Sequence, residues 1–229
     1  MSRLIVFDMD GVLVEVSESY RETIVRTVEH FTGRLITREL VQEYKNAGGW
    51  NNDWALSQKI ASDLGVEIGY ATVVEYFNSI FFGNVVDGIP DGLMARERWI
   101  PRAGLLEEIG SKWGYSIFTG RLREEAMMTL RRFADGLEFD PLVGADDVDN
   151  GKPHPEGLEK IRAARPDAEL LYIGDTVDDA RSSQAAGVPF VGIAAPGVPQ
   201  RARLVELLEA ESPIAILNDI NELPKVLKA

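Results

Sequence analysis

Strand-like and helix-like segments alternate at both ends of this chain, while a block that is helical throughout separates the first strand from all the others. The first strand is Arg3 to Asp8. From about Ser17 to Phe82 the stretches SESYRETIVRTVEHF, TRELVQEYKNA, DWALSQKIASDLG and YATVVEYFNSIFF each space apolar residues three and four apart, the period of an amphipathic helix. From Pro101 the alternation resumes with helix AGLLEEIGSKW, strand YSIFT, helix LREEAMMTLRRFA, short strand PLVGA and helix PEGLEKIRAAR. It continues with strand ELLYIG, helix TVDDARSSQAAG, strand VPFVGIA, a helix near Val198 to Ala210, strand PIAIL and a last helix to about Lys228. Strands separated by helices form a parallel sheet covered on both faces. The expectation is therefore an α/β core, a doubly wound parallel sheet built from residues 1–15 and 97–229, interrupted by an all-helical domain over 16–96. The Gly-, Pro- and Asp-rich stretch GNVVDGIPDG, residues 83–92, reads as the return linker of the insertion.

Composition narrows the function. The 24 Lys plus Arg against 37 Asp plus Glu give a formal charge of -13, a field that repels nucleic acid and anionic membranes. An anionic substrate therefore needs local cations. Without cysteine there is no disulfide, thiolate zinc site or cysteine nucleophile, and with only His30 and His154 a multi-histidine metal centre cannot form in one chain. The N-terminal apolar run is cut by Asp8 and Asp10 before a signal peptide could form, and no stretch is apolar enough to span a bilayer. These features predict a soluble cytoplasmic protein.

In a doubly wound sheet, ligands bind beyond the carboxyl ends of the strands. Four strand ends here carry functional groups: Asp8-Met9-Asp10-Gly11, Thr119-Gly120-Arg121, the loop LVGADDVDNGKPHP with Lys152, and Gly174-Asp175 with Asp178 and Asp179 beyond. An ordinary turn accounts for Gly11 and one aspartate of IVFDMDGVLV, but not for two carboxylates closing a buried strand.

Together DMDGVLV, the strand closed by Thr119, the lysine of GKPHP and the acidic GDTVDD resemble the four ordered motifs of the haloacid dehalogenase superfamily of phosphohydrolases. The helical insertion after the first motif is similar to that family's first-type cap, so the resemblance spans essentially the whole chain and implies a Rossmann-like core. It implies that Asp8 is a nucleophile forming an aspartyl-phosphate, and that Asp10 protonates the leaving oxygen and then deprotonates water. It also implies Mg2+ held by the Asp8 side chain, the Asp10 main-chain carbonyl and Asp175, with Asp179 orienting metal-bound water or Lys152. The elementary chemistry agrees. A phosphate dianion repels a carboxylate unless cations neutralise both; Mg2+ prefers carboxylate oxygens, and Lys152, the Thr119 hydroxyl and nearby backbone N–H groups can hold phosphate.

The plainer alternatives differ in strength. Asp178 and Asp179 suit the N-terminus of a helix, whereas Asp175 at a buried strand end does not fit that explanation. Gly120 and Arg121 stand where related proteins often have Asn after the Thr or Ser, and Arg121 is assigned to phosphate, substrate or cap. Within the insertion, YKNAGGWNNDW serves as a helix connection, with Gly48 or Gly49 as C-cap and Asn52 or Asp53 as N-cap. It also reads as a specificity loop offering Lys45, Asn46, Trp50, Asn51 and Asn52.

The resulting expectation is a Mg2+-dependent phosphatase for a small phosphorylated metabolite. Its rivals are a phosphomutase of the same superfamily, a phosphonatase using Lys45 as a Schiff base, and a catalytically silent binding module. No nucleophile or metal aspartate is missing, which argues against the last.

Overall fold

The computed structural model describes residues 2–227. In chain order the elements are β1 Ser2–Phe7, β2 Val14–Glu15, α1 Tyr20–Thr32, α2 Arg38–Ala47, α3 Asp53–Asp63, α4 Tyr70–Phe82, β3 Val85–Val86, β4 Ile89–Pro90 and β5 Arg98–Trp99. They continue with α5 Leu105–Gly110, β6 Gly114–Phe118, α6 Arg123–Phe133, β7 Leu142–Val143, α7 Glu156–Ala164, β8 Ala168–Gly174 and α8 Val177–Ala186. The last are β9 Phe190–Ile193, α9 Arg201–Ala210, β10 Ala215–Leu217 and α10 Leu223–Leu227. The expected final helix is thus a short 3-10 turn, Ile220–Glu222, running into α10, and Lys228 lies outside the described residues.

Two compact units result, one from the residues up to Val14 with those from Trp99 onward, the other Glu15–Arg98. The first holds a six-stranded sheet in the order β10-β9-β8-β1-β6-β7, with every pairing parallel. The chain winds outward from β1 through β6 to β7, then returns to the other side of β1 as β8 and winds out to β10. The winding direction reverses between β1 and β8, which opens a crevice at the carboxyl ends of those two strands.

Strand alternation divides the core. Leu4 and Val6 of β1 join Phe118, Leu158, Ile161, Tyr172, Val177 and Phe190 on one face. Phe7 meets the rings of Tyr115 and Phe139 on the other, at 5.7 and 6.4 Å. The central strand is therefore apolar on both sides, as a parallel sheet flanked by helices requires.

The second unit is helical, with a core of Tyr20, Ile24, Val28, Leu56, Ile60, Phe77 and Phe81, all buried. Tyr20 lies 4.2 Å from Phe81 between ring centres. The stretch read as the return linker contains a small antiparallel hairpin, with Val85 opposite Pro90 and Val86 opposite Ile89. The reason lies in Asp87-Gly88, where both residues have positive φ, the geometry that a tight hairpin turn demands. The two chain crossings, β2 and β5, form a two-stranded sheet of their own.

Candidate active site

The site is assembled at the reversal of the sheet. The Asp8 N–H donates to the Ile173 carbonyl at 2.8 Å, so Asp8 remains tied to β8 one residue beyond the strand pairing. The chain then folds back tightly, with the N–H groups of Leu13 and Val14 both donating to the Met9 carbonyl at 2.9 Å. Gly11 serves this turn with φ 73°, and it has a second reason to be glycine: a Cβ there would stand 2.0 Å from Asp175 Oδ2. Gly174 is required in the same way, since a Cβ would stand 2.4 Å from the Cβ of Asp179.

At the centre is the Lys152 ammonium, whose side chain is 1% exposed. It lies 2.9 Å from Asp8 Oδ1 and donates to Asp179 Oδ1 at 2.7 Å, above the rings of Phe118 and Tyr172. Asp179 is bound on both oxygens. Oδ1 also accepts from the Tyr172 hydroxyl at 2.6 Å, and Oδ2 accepts from the Thr176 N–H and hydroxyl at 3.0 and 2.6 Å. Thr176 caps α8 in turn by accepting from the Asp179 N–H, so Asp179 is both a helix-capping residue and the anchor of Lys152.

These contacts set the protonation balance. Burial pushes Asp8 up to about 7, with the charges of Asp179 and Asp10 adding to the rise and Lys152 opposing it. For Lys152 burial works against the charge, but Asp179 and Asp8 outweigh it and hold the ammonium protonated. Asp179 is buried too, and Lys152 with its hydrogen-bond donors keeps it below the usual carboxylate range.

Carboxylate oxygens of Asp8, Asp175 and Asp179 lie within 4.8 Å of one another. Taken with Asp10, four acidic side chains stand beside two basic ones, Lys152 and Arg121, so acidic groups outnumber basic ones at the site. Such a set of oxygen donors, short of positive charge, fits a hard divalent cation. Among the described residues Asp178 is also buried, but it is the carboxylate of Asp179 that joins the cluster.

Thr119, at the end of β6, is held by its N–H to the Val143 carbonyl at 3.0 Å, and its hydroxyl accepts from the Arg121 N–H at 3.2 Å. Gly120 is half-buried between them. The Arg121 guanidinium meets Asp10 and Thr129. Sequence reasoning passed over Tyr172 and Thr129. A tyrosine inside the apolar run LLYIG was a usable signal, because a buried phenol needs a partner; nothing in the sequence paired Thr129 with Arg121.

The residues expected of the specificity loop belong to the helical unit. Gly48 is the C-cap of α2, and Asn52 is the N-cap of α3, accepting from the Ala55 N–H. Lys45 is buried and its ammonium is engaged by the Trp50 carbonyl at 2.7 Å and the Asp53 carboxylate, so it ties the loop together. Asn46 is buried beside Gln42, whose amide donates to it, while Trp50 and Asn51 are half-buried.

A parallel doubly wound sheet with a lysine-bridged carboxylate cluster at its reversal defines the class: an α/β protein whose strand ends are equipped for chemistry on an anion. A model of the haloacid dehalogenase-like hydrolases matches residues 2–187, and the chain belongs to that family. Among curated relatives, an imidazoleglycerol-phosphate dehydratase of Phytophthora nicotianae is 32% identical over 200 residues, covering 84% of this chain but only 43% of that protein. A pyrophosphatase PpaX of Bacillus mycoides is 28% identical over 226 residues, 97% of this chain and 95% of that one. Among solved structures, a haloacid dehalogenase-like protein of Agrobacterium tumefaciens shares the fold with a TM-score of 0.74 at 18% identity, covering 100% of this chain and 98% of that one. Among the described residues no helix is long and apolar enough to cross a membrane.

Proposed function

We propose that the chain is a Mg2+-dependent phosphatase of small phosphate monoesters, in which Asp8 takes the phosphoryl group and Asp10 transfers protons. The observation that carries this reading is the buried Lys152 ammonium between Asp8 and Asp179, beside a third carboxylate, Asp175. Lys152 and Arg121 alone do not balance those carboxylates, so a dianionic ester requires a further cation. Asp8 and Asp175 would hold Mg2+ with the Asp10 carbonyl, and Asp179 would serve chiefly by orienting Lys152. When bound, the metal would supply positive charge to the phosphoryl oxygens and to Asp8.

The protein groups divide the remaining work. Asp8, accepting a hydrogen bond from the Met9 N–H at 2.8 Å, is held at the strand end with one oxygen already bound. Its other oxygen attacks phosphorus, and the ester oxygen leaves with a proton from Asp10. Lys152 balances the charge that gathers on the phosphoryl group, and the Thr119 hydroxyl donates its own proton to a phosphoryl oxygen. Asp10 then takes a proton from the water that opens the aspartyl-phosphate, and Asp8 is regenerated.

Phosphate release is measured on an aryl phosphate and on a panel including pyrophosphate and an imidazole-bearing glycerol phosphate, the compounds suggested by the names of the two relatives. Activity should require Mg2+ and vanish in Asp8→Asn, a variant expected to fold. Undiminished turnover in chelator would sink the metal assignment, and full turnover by Asp8→Asn the nucleophile. Asn51→Ala should shift preference among panel members more than it changes aryl phosphate hydrolysis; equal effects would remove the loop from substrate selection.

A further inference from the structure

Arg121 has a more specific place than its position in the motif suggested. Its side chain is 1% exposed, while that of Asp10 is 25% exposed. Nε donates to Asp10 Oδ1 at 2.7 Å, and Nη2 lies 2.6 Å from the same oxygen. On the far side of the guanidinium, Nη1 donates to the Thr129 hydroxyl at 2.7 Å, on α6. The backbone is fixed as well: the Arg121 N–H donates to the Thr119 hydroxyl at the strand end, and the Arg121 carbonyl accepts from the Ala145 N–H. A planar group anchored at both ends is a strut, and a lysine could not reproduce its fork.

We propose that Arg121 is a positioning residue that holds the Asp10 carboxylate by Oδ1, so that Oδ2 is the oxygen directed to proton transfer. This rests on the reading of Asp10 as the acid and base. The strut is needed because Asp10 stands beside Asp8, and two neighbouring carboxylates repel one another. An unrestrained Asp10 side chain would swing away into the solvent that already reaches it. Contact of the guanidinium with phosphate, substrate or cap, the roles expected from sequence, competes with this arrangement, since Nε and Nη1 are hydrogen-bonded within the core unit and Nη2 lies against the same Asp10 oxygen.

The test uses the leaving group, because an ester whose alcohol departs readily as an anion needs no proton, whereas an alkyl ester does. The ratio kcat/KM is measured with Mg2+ across phosphate monoesters from 4-nitrophenyl to simple alkyl, for the unsubstituted protein, Asp10→Asn, Arg121→Met, Arg121→Lys and Thr129→Val. Asp10→Asn should lose about 10²- to 10⁴-fold on alkyl esters and far less on 4-nitrophenyl phosphate. Arg121→Met should follow the same pattern, losing about 10²-fold more on alkyl than on aryl esters. Arg121→Lys should fall between, and Thr129→Val should tilt the series about threefold in the same direction. Where Arg121→Met fails to fold, the tilt in the other two variants decides the matter. An Arg121 series that loses the same factor on every ester, or none, while Asp10→Asn keeps its steep dependence, overturns the strut and leaves the proposed function standing. No tilt in Asp10→Asn, or no turnover by the unsubstituted protein, overturns the proposed function and this inference with it.

Discussion

Replacing Lys152 with Met removes the ammonium and keeps most of the aliphatic stem packed over Phe118 and Tyr172. What remains is Asp8 and Asp179, which lay 2.9 and 2.7 Å from the lost charge, both buried and with no replacement cation. Removing one partner of a buried ion pair costs about 3–5 kcal/mol, because the other charge is left uncompensated. Asp8 limits the loss: already pushed up to about 7, it takes a proton more readily than a usual carboxylate once Lys152 is gone. Asp179 keeps its bonds from Tyr172 and Thr176. The expectation is therefore the lower end, about 3 kcal/mol, measured by urea unfolding in chelator at neutral pH. In the double variant with Asp8→Asn the two effects should fall short of additivity by about 1 kcal/mol or more, since the amide no longer carries a charge to be stranded. A loss below about 1 kcal/mol for the single variant, or strict additivity in the cycle, would refute the argument that these three groups form one electrostatic unit.

Other consequences follow from neighbouring residues. Glu156 accepts from the N–H groups of Asp149 and Asn150 and pairs with Lys160, bonds that hold its carboxyl down to about 2 and clasp the loop leading to Lys152. Its stabilising effect should be complete above the ordinary value of 4.5 and disappear as pH falls towards 2, so the stability gap to Glu156→Gln should be flat above pH 5.5 and close in acid; a gap that does not change with pH would refute this. Gly11→Ala should cost more than about 1 kcal/mol, because it combines a positive φ with a clash against Asp175, and it should weaken Mg2+ binding in a calorimetric titration. Unchanged affinity would separate Asp175 from the metal. Tyr172→Phe, which leaves Asp179 Oδ1 with Lys152 alone, should destabilise by about 1–3 kcal/mol in urea unfolding and lower kcat; a neutral result would mean that the phenol only fills space.

Much of this arrangement was legible in the chain itself. The period of the apolar residues separates helices from strands and marks the helical block after the first strand, because that signal is local and repeated over many residues. Asp8, Asp10, Thr119, Lys152 and Asp175 could be named from their strand-end positions and their motif order. The hairpin of Val85–Pro90 was hidden because its strands are only two residues each, too short for a period to show.

Residue types and their order along the chain determined that the carboxylates and the lysine would gather at the carboxyl edge of one parallel sheet, since a doubly wound chain can bring its strand ends together nowhere else. Only the tertiary structure decided which groups touch: Asp179 rather than Asp178 in the cluster, Tyr172 beneath it, and Arg121 turned to Asp10 and Thr129. Those choices depend on side-chain directions and on pairs such as Asp10 and Arg121, 111 residues apart, and neither propensity nor periodicity carries information over that distance.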